Sequence, residues 1–422
     1  MLAHLKRSRW IFSLVASVIL PGTLICTGAP LKGKPALSKD TVAKLALSSN
    51  AFGFDLYQRL RQTPGNLVIS PASVTTALTM AWGGAQGTTV EQMRKVLHLN
   101  GRADEVMATS GQLSRLLQDP SRPVVFRIAN QLFVEKTYKL EPDYVARTRA
   151  SFGAPIELLD FKKSPERARV HINEWVEGKT AHRIKGLVPP HGVGPSSRLV
   201  LVNAIYFLGD WNLPFERYAT RPAPFFLTAS EKKDVPTMNQ ENQLRIGQKD
   251  GVTAVEIPYK GGEMSMLLLV PDVIGGLSAV EKTLDANKLE ALTSVMKAEV
   301  IWLSLPKFEV NPGESLALGE DLKALGMPLA FDLQQADFTG IANPPSRNDR
   351  LVLGEVFHQA FVRVDEKGTE AAAATAGGMP TGANAENLPR LVKVDRPFLF
   401  LIRDNASGLV LFLGRVSDPS RR

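Results

Sequence analysis

The run RLVLVNAIYF, from Arg198 to Phe207, is almost continuously apolar. A strand with one face in water alternates polar and apolar side chains, so this run suits a central strand covered on both faces. A fold built around it must supply a packing layer on each side. It must also supply a buried partner for Asn203, which sits in the middle of the run.

Phe52, Leu56 and Leu60 recur at helical spacing in NAFGFDLYQRL until TPG interrupts them. In NLVISPASVTTALTMAWGG a strand leads to Ser70, an N-cap with Pro71 at the first helical position. Val74, Ala77, Leu78 and Ala81 then form one apolar stripe that stops at Gly83 and Gly84. RIANQLFVEKTYKL reads as a strand and a turn, and ERARVHINEWVEGKTAHRI as a helix with Val170, Ile172, Trp175 and Val176 as buried candidates. The second half is strand-rich, with AVEIPY, MSMLLLVP, VIWLSLPKF, FHQAFVRVDE, PFLFLIRD and LVLFLGRV; the turn NASG, Asn405 to Gly408, joins the last two as a hairpin. Helices dominate the first half and strands the second, with no linker between them. That distribution favours one α+β domain over two independent ones.

At 422 residues and 44% hydrophobic content, the chain can bury a substantial core. Residues 1–28 carry Lys6, Arg7 and Arg9 ahead of an apolar stretch from Trp10 to Leu20, with a small-residue exit near Gly28 or Ala29. That is the pattern of a secretory signal. Pro21 and Gly22 leave the apolar run short for an uncleaved membrane anchor. A flexible leader, 29–40, then precedes a single domain over 41–420, and the expected location is extracellular or periplasmic. The only cysteine, Cys26, lies inside the signal, so the mature chain needs no disulfide. The net charge of +8 is not gathered into a dense basic run, which argues against nucleic acid and is compatible with a polyanion.

Enzyme signatures are absent: there is no G-x-S-x-G, H-E-x-x-H, Walker loop or G-x-G-x-x-G. His4, His98, His171, His182, His191 and His358 are scattered without metal-ligand spacing, so neither a metal nor a cofactor is expected. His358 shares a strand face with Val356, Ala360, Val362 and Val364 and reads as a hydrogen-bonded core histidine, with Asn203 a candidate partner. Asp365 and Glu366, at the end of that strand, read as a solvated carboxylate pair.

The segment EKGTEAAAATAGGMPTGANAE, Glu366 to Glu386, has no packing side chain larger than Met379. As a helix its alanine run is short and has no apolar face to bury. As a strand it places Thr369, Ala371, Ala373 and Thr375 on one face, with Glu370 on the other. So small a face suits a strand that slides between two others without overpacking.

VDEKGTEAAAATA resembles the hinge of the reactive-centre loop of the serpins, and NLVISPASVTTALTMAWGGAQGTT, LVNAIYFLGDWNLPF, EIPYKGGEMSMLLLVP, LSLPKFEV, VDRPFLFLIRD and LFLGRVSDP resemble further segments of that family. The similarity runs from about Thr41 to Pro419. It implies the serpin fold, with helices around a large mixed sheet, further sheets and an exposed loop at about 366–390. It also implies an inhibitor of a serine or cysteine peptidase with no catalytic residues of its own: the loop is cleaved, its hinge enters the large sheet and the peptidase is trapped covalently.

By the same resemblance, Ser70, Ser73, Asn203 and His358 form a polar cluster beneath the sheet opening. Trp211 lies where the loop first enters, and Lys307 pairs with Glu366. Glu366, Lys367, Gly368, Thr369, Glu370, Ala371, Ala372, Ala373, Ala374 and Thr375 form the hinge. Counting sixteen residues on from Glu366 places the reactive bond between Gly382 and Ala383, with Thr381 and Met379 as neighbouring alternatives. A glycine there points to an elastase- or subtilisin-like serine peptidase as the partner of a monomeric inhibitor. Gly377 and Gly378 weaken the inserted strand by about 0.5–1 kcal/mol each, which favours substrate-like cleavage. A non-inhibitory binding or carrier protein on the same fold is the alternative.

Overall fold

Ser70 starts the helix around which the domain is packed. Its backbone is extended, at φ −115° and ψ 96°, its side chain accepts from the Ser73 N–H, and Pro71 occupies the first turn. The helix, Pro71–Trp82, is buried along almost its whole length, so the apolar stripe at Val74, Ala77, Leu78 and Ala81 is only part of what it hides. The computed structural model describes residues 39–153, 156–311, 313–369 and 389–421; the expected signal, most of the leader and the expected reactive bond lie outside these.

Helices cluster in the first half of the chain, at Lys39–Leu60, Pro71–Trp82, Gly87–Val96, Ala103–Leu117, Pro142–Phe152 and Pro165–Lys179. Most strands follow, in two sheets. The first sheet runs Phe308–Val310, Leu353–Val364, Gly368–Thr369, Leu199–Asp210, Val124–Glu135, Ile156–Leu159, and the short strand Leu316–Ala317 pairs with Leu353–Val364. The second holds the long strand Lys232–Lys249, the pair Val252–Pro258 and Met264–Pro271, and the hairpin Phe398–Asp404 with Val410–Val416. Its far edge is Lys297–Pro306 followed by Arg390–Lys393.

Leu199–Asp210 is the central strand that its composition predicts. Val200, Val202, Ala204 and Tyr206 pack with Ile172 and Val176 of the helix Pro165–Lys179. On the opposite face, Leu199 and Leu201 join the helical core, while Ile205 and Phe207 meet the second sheet. The covering helix differs from expectation at two positions: Val170 is exposed and Trp175 only partly buried. The buried stripe runs through Ala168, Ile172 and Val176, and Val170 stands two residues from that stripe, on the other side of a 3.6-residue turn.

Candidate functional site

Three strands place polar side chains in one row across the first sheet. His358 pairs in register with Asn203, and Asn203 with Asn130. The N-terminus of the helix Pro71–Trp82 closes on that row from below. Ser70 N–H donates to His358 Nε2 at 3.1 Å, so the ring proton sits on Nδ1, which donates to Asn203 Oδ1 at 2.5 Å. Asn203 Nδ2 then donates to Ser73 Oγ at 2.7 Å and to Asn130 Oδ1. Ser70 Oγ donates to the Leu411 carbonyl at 2.6 Å, tying the cluster to the C-terminal hairpin. The structure thus brings Ser70, Ser73, Asn203 and His358 together and adds Asn130, whose amide donates to the Ser73 carbonyl at 3.3 Å.

This geometry provides no catalytic dyad. Ser70 Oγ points at a carbonyl, both imidazole nitrogens are committed, and burial pushes His358 down to about 3, which keeps it neutral at physiological pH. The cluster is a set of mutually satisfied groups at the junction of the helix and three strands of the first sheet.

At the end of the strand Leu353–Val364 the chain turns back on itself within two residues. Asp365 N–H donates to the Gly368 carbonyl at 2.9 Å and Gly368 N–H to the Asp365 carbonyl at 3.3 Å, leaving Glu366 and Lys367 as the loop. Neither takes the positive φ that two-residue hairpins favour. The turn is tied from outside instead. Trp211 N–H donates to the Lys367 carbonyl at 2.7 Å, Trp211 Nε1 to the Asp365 carbonyl at 3.0 Å and Phe215 N–H to the Glu366 carbonyl at 2.7 Å.

Asp365 and Glu366 are therefore buried, not solvated as their place at a strand end suggests. Asp365 Oδ1 accepts from Lys367 N–H at 3.0 Å. Glu366 accepts from Lys307 Nζ at 2.8 and 3.0 Å and from Thr220 Oγ1 at 2.9 Å. Burial pushes the Glu366 carboxyl up, but the hydrogen bonds from Lys307, its own backbone N–H and Thr220 outweigh that and hold it below the usual carboxylate range.

Gly368 and Thr369 are already seated in the first sheet, although the composition of the segment suggests a strand wholly outside it. Thr369 pairs with Val364 on one side and Gly209 on the other, antiparallel to both. Thr369 Oγ1 is 2.7 Å from Tyr259 Oη, and the Tyr259 ring stacks on Trp211 with centroids 4.7 Å apart. Below this point the flanking strands pair directly and in parallel, from Leu353–Leu199 to Phe361–Tyr206.

The serpin family model, described as serine protease inhibitor, matches residues 47–419 of this chain. The chain belongs to the serpin family. Iris of Ixodes ricinus is 38% identical over 376 residues, covering 87% of this serpin and 97% of Iris. Human leukocyte elastase inhibitor is 36% identical over 392 residues, covering 89% and 100%. The solved structure of human thyroxine-binding globulin complexed with thyroxine superposes with a TM-score of 0.81 at 26% identity, covering 90% of this serpin and all of that chain. The two sheets and surrounding helices are thus the serpin fold, and the family is described as one of serine protease inhibitors, not enzymes.

Of the residues expected to form the hinge, the structure describes Glu366, Lys367, Gly368 and Thr369. Glu370, Ala371, Ala372, Ala373, Ala374 and Thr375 lie outside the described residues, as do Met379, Thr381, Gly382 and Ala383. Sequence reasoning missed Asn130. Its signal is present, since it is the one amide on the strand face shared with Ile128, Leu132 and Val134.

Proposed function

We propose that this serpin is a secreted suicide inhibitor of an elastase- or subtilisin-like serine peptidase. The loop of 366–390 presents the bond between Gly382 and Ala383, the peptidase acylates itself on Gly382, and the freed hinge fills the sheet from Gly368 downward. Glu366–Thr375 act as the hinge, Trp211 and Lys307 hold its entry point, and Ser70, Ser73, Asn203 and His358 close the sheet beneath it.

One observation carries this reading: the strands on either side of Gly368–Thr369 are parallel to each other, while Gly368–Thr369 is antiparallel to both. A strand continuing in that direction replaces one parallel ladder with two antiparallel ones, and antiparallel pairing is slightly the more stable per residue. The small residues that follow add little volume to be accommodated. About fourteen residue steps, from Gly368 to Gly382, span roughly 46 Å when extended. That length is enough to carry an attached peptidase from one end of a domain toward the other.

Incubation with pancreatic elastase or subtilisin is expected to give a complex that survives denaturing electrophoresis, and loop cleavage is expected to raise the unfolding temperature. Cleaved serpin without complex, at an unchanged unfolding temperature, would instead support a binding or carrier role. The likeness to thyroxine-binding globulin, a ligand-binding member of the fold, makes that the second reading.

A further inference from the structure

Four large apolar side chains stand exposed near the point where the chain re-enters the described structure after the loop: Tyr218 at 54%, Val300 at 47%, Trp302 at 40% and Leu391 at 54%. Three of them share the outer face of the second sheet's edge. Leu391 lies directly opposite Trp302 in the parallel pair of Arg390–Lys393 with Lys297–Pro306, and Val300 is the next residue on the same face. On the other side of Trp302 lies Glu241, an exposed carboxylate of the long strand Lys232–Lys249. The short turn Arg217–Ala219, which carries Tyr218, is held to that long strand by Asn239 Nδ2 donating to the Ala219 carbonyl at 3.0 Å. The interior faces of these strands are fully occupied by Leu303, Ile301 and Val392, so the outer side chains are not spare core.

We propose that this face, centred on Trp302 and Leu391, is a second docking surface for the target peptidase, beside the loop that enters its cleft. The proposal rests on the inhibitor function given above and names what that function leaves open, the source of selectivity when a glycine bond offers no side chain to a specificity pocket. Chain length decides the occupant. Ala383 and Leu391 are eight residue steps apart, at most about 29 Å of chain. A peptidase domain of about 220 residues has a radius of gyration of about 17 Å and is therefore about 44 Å across. A body of that size, held by its cleft at a bond within that length of chain from Leu391, has the reach to contact the face that begins there. Exposed aromatic and aliphatic groups of this type form the anchors of protein interfaces. Trp302 beside Glu241 further fits a basic residue on the partner, because the indole face and the carboxylate attract the same cation.

The test compares wild type with Trp302→Ala, Leu391→Ser and Trp302→Phe, using pancreatic elastase and subtilisin as probes. The readouts are the association rate, the number of inhibitor molecules consumed per peptidase, and the unfolding temperature. Loss of the apolar anchor is expected to slow association with at least one probe by about tenfold, with consumption and unfolding temperature unchanged. Trp302→Phe, which keeps an aromatic face, is expected to retain most of the rate. Association within about twofold of wild type for both truncations, with complex still forming, would overturn the surface and leave the inhibitor function standing. A slower rate accompanied by a lower unfolding temperature would overturn it too, by assigning Trp302 and Leu391 to the fold. If wild type forms no covalent complex with either probe, the inhibitor function fails and the docking surface fails with it.

Discussion

Gly368 packs so tightly on Gly209 that a methyl group at Gly368 would stand 2.0 Å from the Gly209 carbonyl oxygen and 2.7 Å from Asp210 Cα. Both contacts are with backbone, which has no rotamer to move aside. Gly368→Val is therefore expected to drive Gly368 and Thr369 out of their place between the two strands, destabilising the intact serpin by about 1–3 kcal/mol. Calorimetry of the intact protein checks this, and an unchanged melting temperature would show that the seat is not occupied in solution.

His358 gives the fold an acid sensitivity. An ordinary imidazole protonates near 6.5, whereas burial lowers His358 to about 3. Between those values the unfolded chain binds a proton that the folded one refuses. This contribution to stability is complete above about pH 6.5 and shrinks as the pH falls, by about 1.4 kcal/mol per unit. From about pH 6.5 to about pH 5, before ordinary carboxylates titrate, wild type is expected to lose about 2 kcal/mol. His358→Gln removes the titrating group, so its denaturation midpoint is expected to stay flatter across that interval; a parallel slope would contradict the assignment.

Lys307 and Glu366 form an ion pair in which Glu366 is buried and Lys307 about one-third exposed, with Thr220 as a further donor to the carboxylate. Glu366→Gln is expected to cost about 1 kcal/mol, discounted for the solvent around Lys307. The Glu366 carboxyl sits below its usual range, so its contribution is present above its unfolded pKa and is lost as the pH falls through the lower folded one. A double-mutant cycle with Lys307→Met isolates the pair, and strict additivity would mean that the contact carries no energy.

Asn130 accepts from both Asn203 and Ser73 and donates to the Ser73 carbonyl. Asn130→Ala leaves the Asn203 amide with Ser73 alone and is expected to destabilise by about 1–2 kcal/mol. Because the two amides share one network, Asn130→Ala and Asn203→Ala together are expected to cost less than their sum. Urea unfolding of the four proteins in the cycle measures this directly.

Much of this architecture is legible in the chain itself. The continuous apolar run around Asn203 predicts a strand buried on both faces, and Ser70 with Pro71 predicts where the helix starts; both follow from local composition. The long strand Lys232–Lys249 does not, because its partners are paired on both sides while one face stays in water, and KKDVPTMNQENQLRIGQK lacks a clean apolar alternation. Hydrophobicity alone places Val170 inside, but its position on the helix turns it outward. The burial of Asp365 and Glu366 depends on Trp211, Phe215 and Lys307, which are distant in sequence, so nothing in the local pattern reveals it. The fit of Gly368 on Gly209 is likewise a contact between backbones, and neither glycine advertises it.

The two-residue turn at Glu366 and Lys367 also bears on how the chain folds. His358 and Asn203, neighbours in the parallel pairing, are 155 residues apart in sequence, whereas Val364 and Thr369 are joined through the turn. A hairpin closes in about 1–10 μs, far sooner than contacts of such long range normally assemble. Connectivity therefore gives the hairpin a head start over the long-range parallel pairing beside it. Neither residue of that turn takes the positive φ that two-residue hairpins favour, so Lys367→Gly is expected to close the hairpin sooner, which refolding kinetics would measure against wild type.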